Sequence, residues 1–297
     1  MKNLSLPFTL VPVAAAILLG LPGAAVAEGP PAPATATSTA SVTVAADEVA
    51  RLEALIAVPE LLDLTREEGA SYAEDVEAEL FPGKGGASWI EEVRGLYDPA
   101  RTGPVFDAAF RDVLAGRDTA PIAAFFGEGI GARAVPLEVS ARRAMLDDDV
   151  EDDATLKAGN LMAARDPRFR SLGAFIEAGD LVEANVIGAM NANLAFWRGL
   201  SDGGAFPEPM AEEDMLDKVT AQVEDIRSET RDWLFAYFAL AYAPLGEGEL
   251  AGYTAFTASA PGQALNAAVF AGFDAVFTDV SYRMGLAAAQ RIAGQDL

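Results

Sequence analysis

The sequence contains no cysteine and no histidine among its 297 residues. Their absence excludes disulfide bonds, thiolate or imidazole metal sites, and catalysis in which a histidine activates a serine or a cysteine. Positive charge is also scarce, because 21 Lys and Arg residues face 45 Asp and Glu residues and the net charge is −24. A surface this acidic repels phosphate backbones, so we expect no binding to nucleic acid. Carboxylate, hydroxyl, amide, Lys and Arg groups are left to build a functional site.

The first 27 residues have the pattern of a secretory signal peptide. Lys2 is followed by an apolar stretch over residues 10–20 and by small residues up to Ala27, immediately before Glu28. The apolar stretch is shorter than the roughly 20 residues that cross a bilayer. We therefore predict cleavage between Ala27 and Glu28, a periplasmic location, and no stable membrane span in the mature protein.

The composition changes twice along the rest of the chain. Residues 28–46 are rich in Pro, Ala and Thr, which is typical of a disordered linker. From Asp47, which is expected to cap the first helix, apolar residues recur at helical spacing and no strand pattern follows. The sequence predicts an all-α helical bundle with halves over 47–165 and 166–297. A nearly all-apolar helix over 229–243, after another over 212–227, is expected at its centre.

The two halves resemble each other. Residues 55–62 align with 175–182, since each segment has a short apolar helix, a turn and then a new helix. Residues 118–131 align with 249–262, and each of these segments has a Phe six residues before its final Gly. These similarities predict an internal repeat.

The second copy also carries a family resemblance. Its residues are Glu249-Leu250, Tyr253, Phe256, Ser259, Pro261-Gly262 and Leu265. They resemble the signature of a bacterial envelope family, domain of unknown function 2059 (DUF2059), although Ala260 separates the Ser and Pro that are adjacent in the usual pattern. The resemblance implies an exported, mostly helical protein and brings no catalytic residues.

The residues of this signature predict structural roles. Ser259 is expected to cap the last helix, Pro261 to lie in its first turn, and Gly262 to allow close approach of the preceding helix. Phe256 is expected to pack against Leu265 or Val269.

An acidic run at residues 147–153 is the densest group of oxygen ligands. A calcium loop needs a Gly at its sharp turn, and this run has none. Capping of the next helix by these carboxylates is the favoured interpretation, and we predict no metal or other cofactor.

Polar residues interrupt the apolar helix predicted over 180–199. Glu183, Asn185 and Asn193 indicate either hydrogen bonds to a neighbouring helix or a lined cleft, because Asn has poor propensity for helix interiors. These three residues form the speculative cleft, and we assign no catalytic residues.

Glu138 is a further candidate for a catalytic acid, because glycosidases hydrolyse glycans with a pair of carboxyl groups. Its spacing from Arg142 is instead that of a helical ion pair, which we favour.

An aromatic stripe is expected to be part of the core, with an apolar ligand cavity as the alternative. The stripe comprises Trp233, Phe235, Tyr237, Phe238, Tyr242, Phe270, Phe273 and Phe277.

Taken together, the sequence favours a non-enzymatic exported protein that binds an unidentified envelope protein or a small apolar ligand. The alternatives are a carboxylate-dependent hydrolase of envelope glycans that uses Glu183 or Glu138, and a carrier of an apolar ligand.

Overall fold

A computed structural model describes residues 46–294, and within this range the chain forms thirteen α-helices and no β-strand. The predicted all-α helical bundle is confirmed. The predicted signal peptide, its cleavage pair Ala27 and Glu28, and residues 28–45 of the linker lie outside the described residues. The helices are Ala46–Leu55 (α1), Val58–Leu80 (α2), Gly86–Leu96 (α3), Pro99–Leu114 (α4), Ala120–Gly127 (α5), Gly129–Ala144 (α6), Asp148–Ala163 (α7), Pro167–Ala178 (α8), Leu181–Asp202 (α9), Glu212–Thr220 (α10), Val223–Ala241 (α11), Glu247–Thr257 (α12) and Ala260–Ile292 (α13).

Side-chain caps and prolines explain where several helices begin. The carboxylates of Asp98, Asp147 and Asp166 each accept a hydrogen bond from the backbone N–H two residues later, at 2.9, 3.0 and 2.8 Å. Such bonds satisfy N–H groups that have no partner within the helix. Pro occupies one of the first two positions of α2, α4, α5, α8 and α13, where its missing N–H is tolerated.

Two predicted helix boundaries were wrong. Helix α1 begins at Ala46, so Asp47 lies in its first turn and is not the cap. The break predicted near residue 228 instead follows Thr220, because Glu224 and Asp225 occupy the first turn of α11, where the helix dipole favours acidic residues.

Helix α13 is the longest and packs along both α9 and α4. Its contact with α9 is made backbone to backbone. A Cβ atom added to Gly199 would lie 2.1 Å from the carbonyl oxygen of Tyr282, and one added to Gly285 would lie 2.3 Å from that of Phe196. Glycine is required at this crossing because any side chain would push the helices apart.

Helix α11 contains most of the predicted central apolar helix and contacts α6, α7, α8 and α9. Leu234, Tyr237 and Phe238 on it are buried. The buried hydrophobic residues form one cluster that includes side chains from both predicted halves. Helices of the two halves also cross over, since α13 packs on α4 and α6 packs on α11. The halves therefore share a single core.

The junction before α2 and the junction before α9 have the same backbone conformation. Ala57 and Asp180 both adopt a positive φ, 57° and 44°, immediately before the new helix. The residue before each one donates a backbone hydrogen bond to the fourth residue before it, Leu52 or Phe175. On backbone conformation Ala57 matches Asp180, whereas the sequence alignment pairs Ala57 with Glu177, three residues earlier.

The junctions α5–α6 and α12–α13 are also alike. A Cβ atom on Gly131 would lie 2.4 Å from the carbonyl oxygen of Phe125, and one on Gly262 would lie 2.1 Å from that of Phe256. The two Phe rings stack on each other, with centroids 3.7 Å apart and planes 6° apart. The predicted partners of Phe256 were Leu265 and Val269, which omitted this ring from the other half.

The predicted roles of Ser259 and Pro261 at the start of the last helix are confirmed. Ser259 caps α13 by accepting a hydrogen bond from the N–H of Gly262 at 3.3 Å, and Pro261 lies in the first turn.

Over residues 46–294, no helix combines the length and the apolar character that a bilayer span requires.

Candidate functional site

The three residues of the speculative cleft have separate environments. Glu183 accepts hydrogen bonds from Arg227 Nε at 2.6 Å and Nη2 at 2.9 Å, and these bonds lower the pKa of its carboxyl group. Asn185 is buried and its side-chain amide donates to the carbonyl oxygen of Leu181, one turn earlier in α9, at 2.7 Å. Asn193 is also buried, and its side-chain oxygen accepts no hydrogen bond. Glu183 is thus held in an ion pair, and Asn185 is bonded to the backbone of its own helix.

Glu138 on α6 lies at the centre of a buried polar cluster. Its Oε1 accepts hydrogen bonds from the hydroxyls of Tyr242 at 2.7 Å and Tyr253 at 3.1 Å, while the Tyr237 hydroxyl donates to its backbone carbonyl at 3.0 Å. Its Oε2 has no hydrogen-bond partner. The residue is only 2% exposed. Tyr242 and Tyr253 therefore hold this carboxyl group, and Tyr237 holds the backbone of the same residue.

Burial raises the pKa of Glu138 to about 7, because the charged form loses its hydration. The hydrogen bonds from Tyr242 and Tyr253 act in the opposite direction but do not compensate. An unperturbed Glu has a pKa near 4.3, so burial moves the titration of this acid towards neutral pH.

The predicted ion pair between Glu138 and Arg142 was wrong. Arg142 is also buried, and its Nε and Nη2 donate to the two carboxylate oxygens of Glu68 at 2.8 and 2.7 Å. Glu68 lies on α2, so the partner is remote in sequence, and the i,i+4 spacing on α6 did not determine the pairing. This bidentate contact ties α2 to α6 beside the Glu138 cluster.

The aromatic stripe is mainly core, as expected. Phe238 packs on Phe175 with centroids 5.1 Å apart, and Phe273 packs on Phe106 at 5.0 Å. Phe235 at the margin stacks on Phe169 at 4.2 Å. The rings thus fill the space around one another.

The acidic run has the capping role that was favoured. Asp147 caps α7, while Asp148, Asp149 and Glu151 occupy its first turn. Within residues 46–294, no group of three or more Asp or Glu residues is arranged to hold a metal ion.

A groove of about 610 Å³ opens between α2, α3 and Arg143 at the end of α6. This volume lies within the range typical of small-molecule sites, about 300–1,000 Å³. Its lining carries charges of both signs. The lining residues are Asp63, Arg66, Glu67, Ala70, Ser71, Glu74, Ile90, Glu91, Arg94 and Arg143.

The ion pairs inside this groove are loose. Arg143 Nη1 lies 3.7 Å from Glu67 Oε1, and Arg94 Nη1 lies 4.0 Å from Glu91 Oε2. These are the two longest of the twelve ion pairs in the described part of the chain. Arg66 makes no ion pair with any described residue, so the groove holds exposed cationic groups that are weakly neutralised.

The sequence reasoning missed this groove. Its α2 residues recur at i, i+3, i+4, i+7, i+8 and i+11 from Asp63, a spacing that places them on one face of the helix. That pattern alone is typical of any solvated face. The approach of Arg94 and Arg143 depends on tertiary packing and leaves no signal in the sequence.

Comparison with known proteins gives no match: no family model, curated protein or solved structure is similar to this chain.

Proposed function

We propose that this chain is an exported, non-enzymatic helical protein of the bacterial envelope, located in the periplasm, that acts by binding a ligand or a protein partner. The groove between α2, α3 and α6 carries this proposal and favours a small ligand over a protein partner, because its volume is that of a small-molecule site. It is open, of ligand size, and lined by charged groups that have few close partners of their own. The signal-peptide pattern of residues 1–27 supports export.

The geometry of the candidate carboxylates favours binding over hydrolysis. A glycosidase needs two carboxyl groups that face each other across a cleft, about 5–9.5 Å apart. Glu138 is enclosed by tyrosines, and Glu183 is held by Arg227. A substrate could reach Glu138 only after α11 and α12 had moved.

The contacts of the aromatic stripe likewise favour the groove over an apolar cavity. Its buried rings pack against other rings of the core, as Phe238 does on Phe175. The groove itself offers only Ala70 and Ile90 as hydrophobic surface.

We also propose that the halves arose by duplication and that the chain is related to the DUF2059 family. The matching junctions at Ala57 and Asp180, and at Gly131 and Gly262, support a duplication. The residues from Glu249 to Leu265 support the family relationship.

Export is tested by expressing the full chain in a bacterium and sequencing the N-terminus of the protein in the periplasmic fraction. The proposal predicts a mature chain that begins at Glu28. A chain that keeps Met1 and stays in the cytoplasm would contradict it.

Binding is tested by equilibrium dialysis of the mature protein against the small-molecule fraction of a bacterial envelope extract, with mass spectrometry of the retained compounds. We expect at least one compound to be retained by the wild type and lost from the Arg66→Glu/Arg94→Glu variant. The Arg170→Glu variant is the control, because Arg170 is exposed and outside the groove. Retention that is equal in all three proteins, or absent from all, would contradict a groove-binding function.

A further inference from the structure

We propose that the groove between α2, α3 and α6 takes a short peptide-like ligand that carries both an ammonium group and a carboxylate. This inference rests on the proposed binding function and names the class of ligand. It follows from the signs of the lining charges, from the looseness of their ion pairs, and from the length of the groove.

The lining charges select against ligands of a single sign. Three guanidinium groups line the groove, from Arg66, Arg94 and Arg143, and the planar guanidinium group suits a carboxylate. The four carboxylates of the groove would repel a polyanion, and its three arginines would repel a polycation. A ligand with opposite charges at separate points can pair with both sets.

The existing ion pairs present little obstacle to such a ligand. The Arg94 and Glu91 side chains of one pair are 49% and 76% exposed, and those of Arg143 and Glu67 in the other are 53% and 55% exposed. Exposed pairs of this kind contribute little to stability, so exchanging them for ligand contacts costs little. By contrast, Arg142 beside them is held at 2.7 Å by Glu68 and is not available.

The length of the groove suits a peptide. Its residues on α2 extend from Asp63 to Glu74, which is about 16 Å along a helix that rises 1.5 Å per residue. An extended chain of four residues spans about 13–14 Å. Ser71 adds a hydroxyl for a backbone group, and Ala70 and Ile90 provide a small apolar floor between the charged groups.

The inference is tested by isothermal titration calorimetry of the mature protein at low salt, with four synthetic tetrapeptides as probes. The first is Lys-Ala-Ala-Glu with free termini. The others are tetraglutamate with an acetylated N-terminus, tetralysine with an amidated C-terminus, and tetra-alanine with both termini blocked. We expect Lys-Ala-Ala-Glu to bind at least tenfold more tightly than each of the other three, and its affinity to fall as salt is added.

Two variants locate the binding. Arg66→Ala/Arg94→Ala is expected to weaken the binding of Lys-Ala-Ala-Glu at least tenfold, whereas Arg170→Ala should leave it unchanged. Both groove side chains are exposed, and circular dichroism of each variant should match that of the wild type. An undiminished affinity in a correctly folded double variant would overturn the assignment to this groove.

Failure of the inference can be told apart from failure of the proposed function. If tetraglutamate, tetralysine or blocked tetra-alanine binds as tightly as Lys-Ala-Ala-Glu and is lost in the double variant, the ligand class is wrong and the groove function stands. If none of the four binds, the ligand class is also wrong, and the dialysis experiment then decides the function: a retained compound that requires Arg66 and Arg94 keeps it, and no such compound removes it.

Discussion

At the scale of single residues, Glu138 is the side chain whose environment departs most from what its sequence neighbours indicate. An acid four residues before an arginine on a helix indicates an exposed ion pair. The structure instead buries it beneath Tyr242 and Tyr253, which donate to one of its oxygens while the other has no partner.

The burial of Glu138 predicts that stability depends on pH. Its pKa is about 7 in the folded protein and near the ordinary value of about 4.3 in the unfolded chain. Between these values the folded state binds more protons, so the free energy of unfolding falls as pH rises. This residue alone should lower that free energy by about 2–3 kcal/mol between pH 5 and pH 8.

Urea unfolding of Glu138→Gln at the two pH values measures this effect. Gln imitates the protonated acid, so the variant should lose about 2–3 kcal/mol of the wild-type pH dependence. Glu53 acts in the same direction, since burial and the nearby Asp107 raise its pKa to about 7 as well. Glu53→Gln is therefore the comparison, and it should also reduce the pH dependence of the free energy of unfolding. If Glu138→Gln leaves that pH dependence unchanged, Glu138 is solvated in the folded protein.

At the scale of helices, two consecutive ion pairs join α2 to α6 and differ in burial. Arg142 and Glu68 are 2% and 13% exposed, whereas Arg143 and Glu67 are both more than half exposed. Breaking a buried pair is costly because a desolvated charge loses its partner, whereas an exposed pair contributes little.

We therefore expect Glu68→Gln to lower the free energy of unfolding by about 3 kcal/mol and Glu67→Gln by less than about 1 kcal/mol. The two changes are chemically identical and adjacent, so each is the control for the other. Urea denaturation at pH 7 gives both values. Equal losses would contradict the difference in burial.

The matching helix junctions make a second prediction at this scale. A Cβ atom on Gly131 or Gly262 would meet the carbonyl oxygen of Phe125 or Phe256 at 2.4 or 2.1 Å. Replacement of either glycine by Ala should destabilise the protein by about 1–3 kcal/mol through overpacking.

Gly252→Ala is the control for these two variants. Gly252 lies within α12, and nothing lies within 4 Å of its added Cβ atom, so this change should stabilise the protein by up to about 1 kcal/mol. Thermal denaturation of the three variants gives the comparison. A stabilised Gly131→Ala or Gly262→Ala would contradict the close approach at that junction.

At the scale of the whole molecule, one core joins the two predicted halves, so they should unfold together. Trp89 is buried in the first half and Trp197 in the second. Two variants that keep either Trp89 or Trp197 as the sole tryptophan, with Trp233 also replaced by Phe, are compared. In each, the urea midpoint from fluorescence should equal the midpoint from circular dichroism of the same variant. A fluorescence midpoint that precedes the backbone transition in one variant would indicate halves that unfold separately.

The sequence predicts the helices of this fold better than it predicts the site. Apolar periodicity, the Ser259 cap and the proline in the first turn of α13 are local features, and they are enough to predict an all-α chain and the start of its last helix. The partner of Arg142 and the groove are different, because Glu68, Arg94 and Arg143 meet only when remote helices pack. Local spacing contains no information about such contacts.

Hydrogen exchange of the mature protein, measured by mass spectrometry with and without the small-molecule fraction of an envelope extract, tests the binding function most directly. It locates bound ligand without any substitution. The proposed function predicts slower exchange over residues 63–74 and 90–94, while α9 and the Glu138 cluster stay unchanged. Slower exchange around Glu138 or Glu183 alone, or no change anywhere, would contradict it.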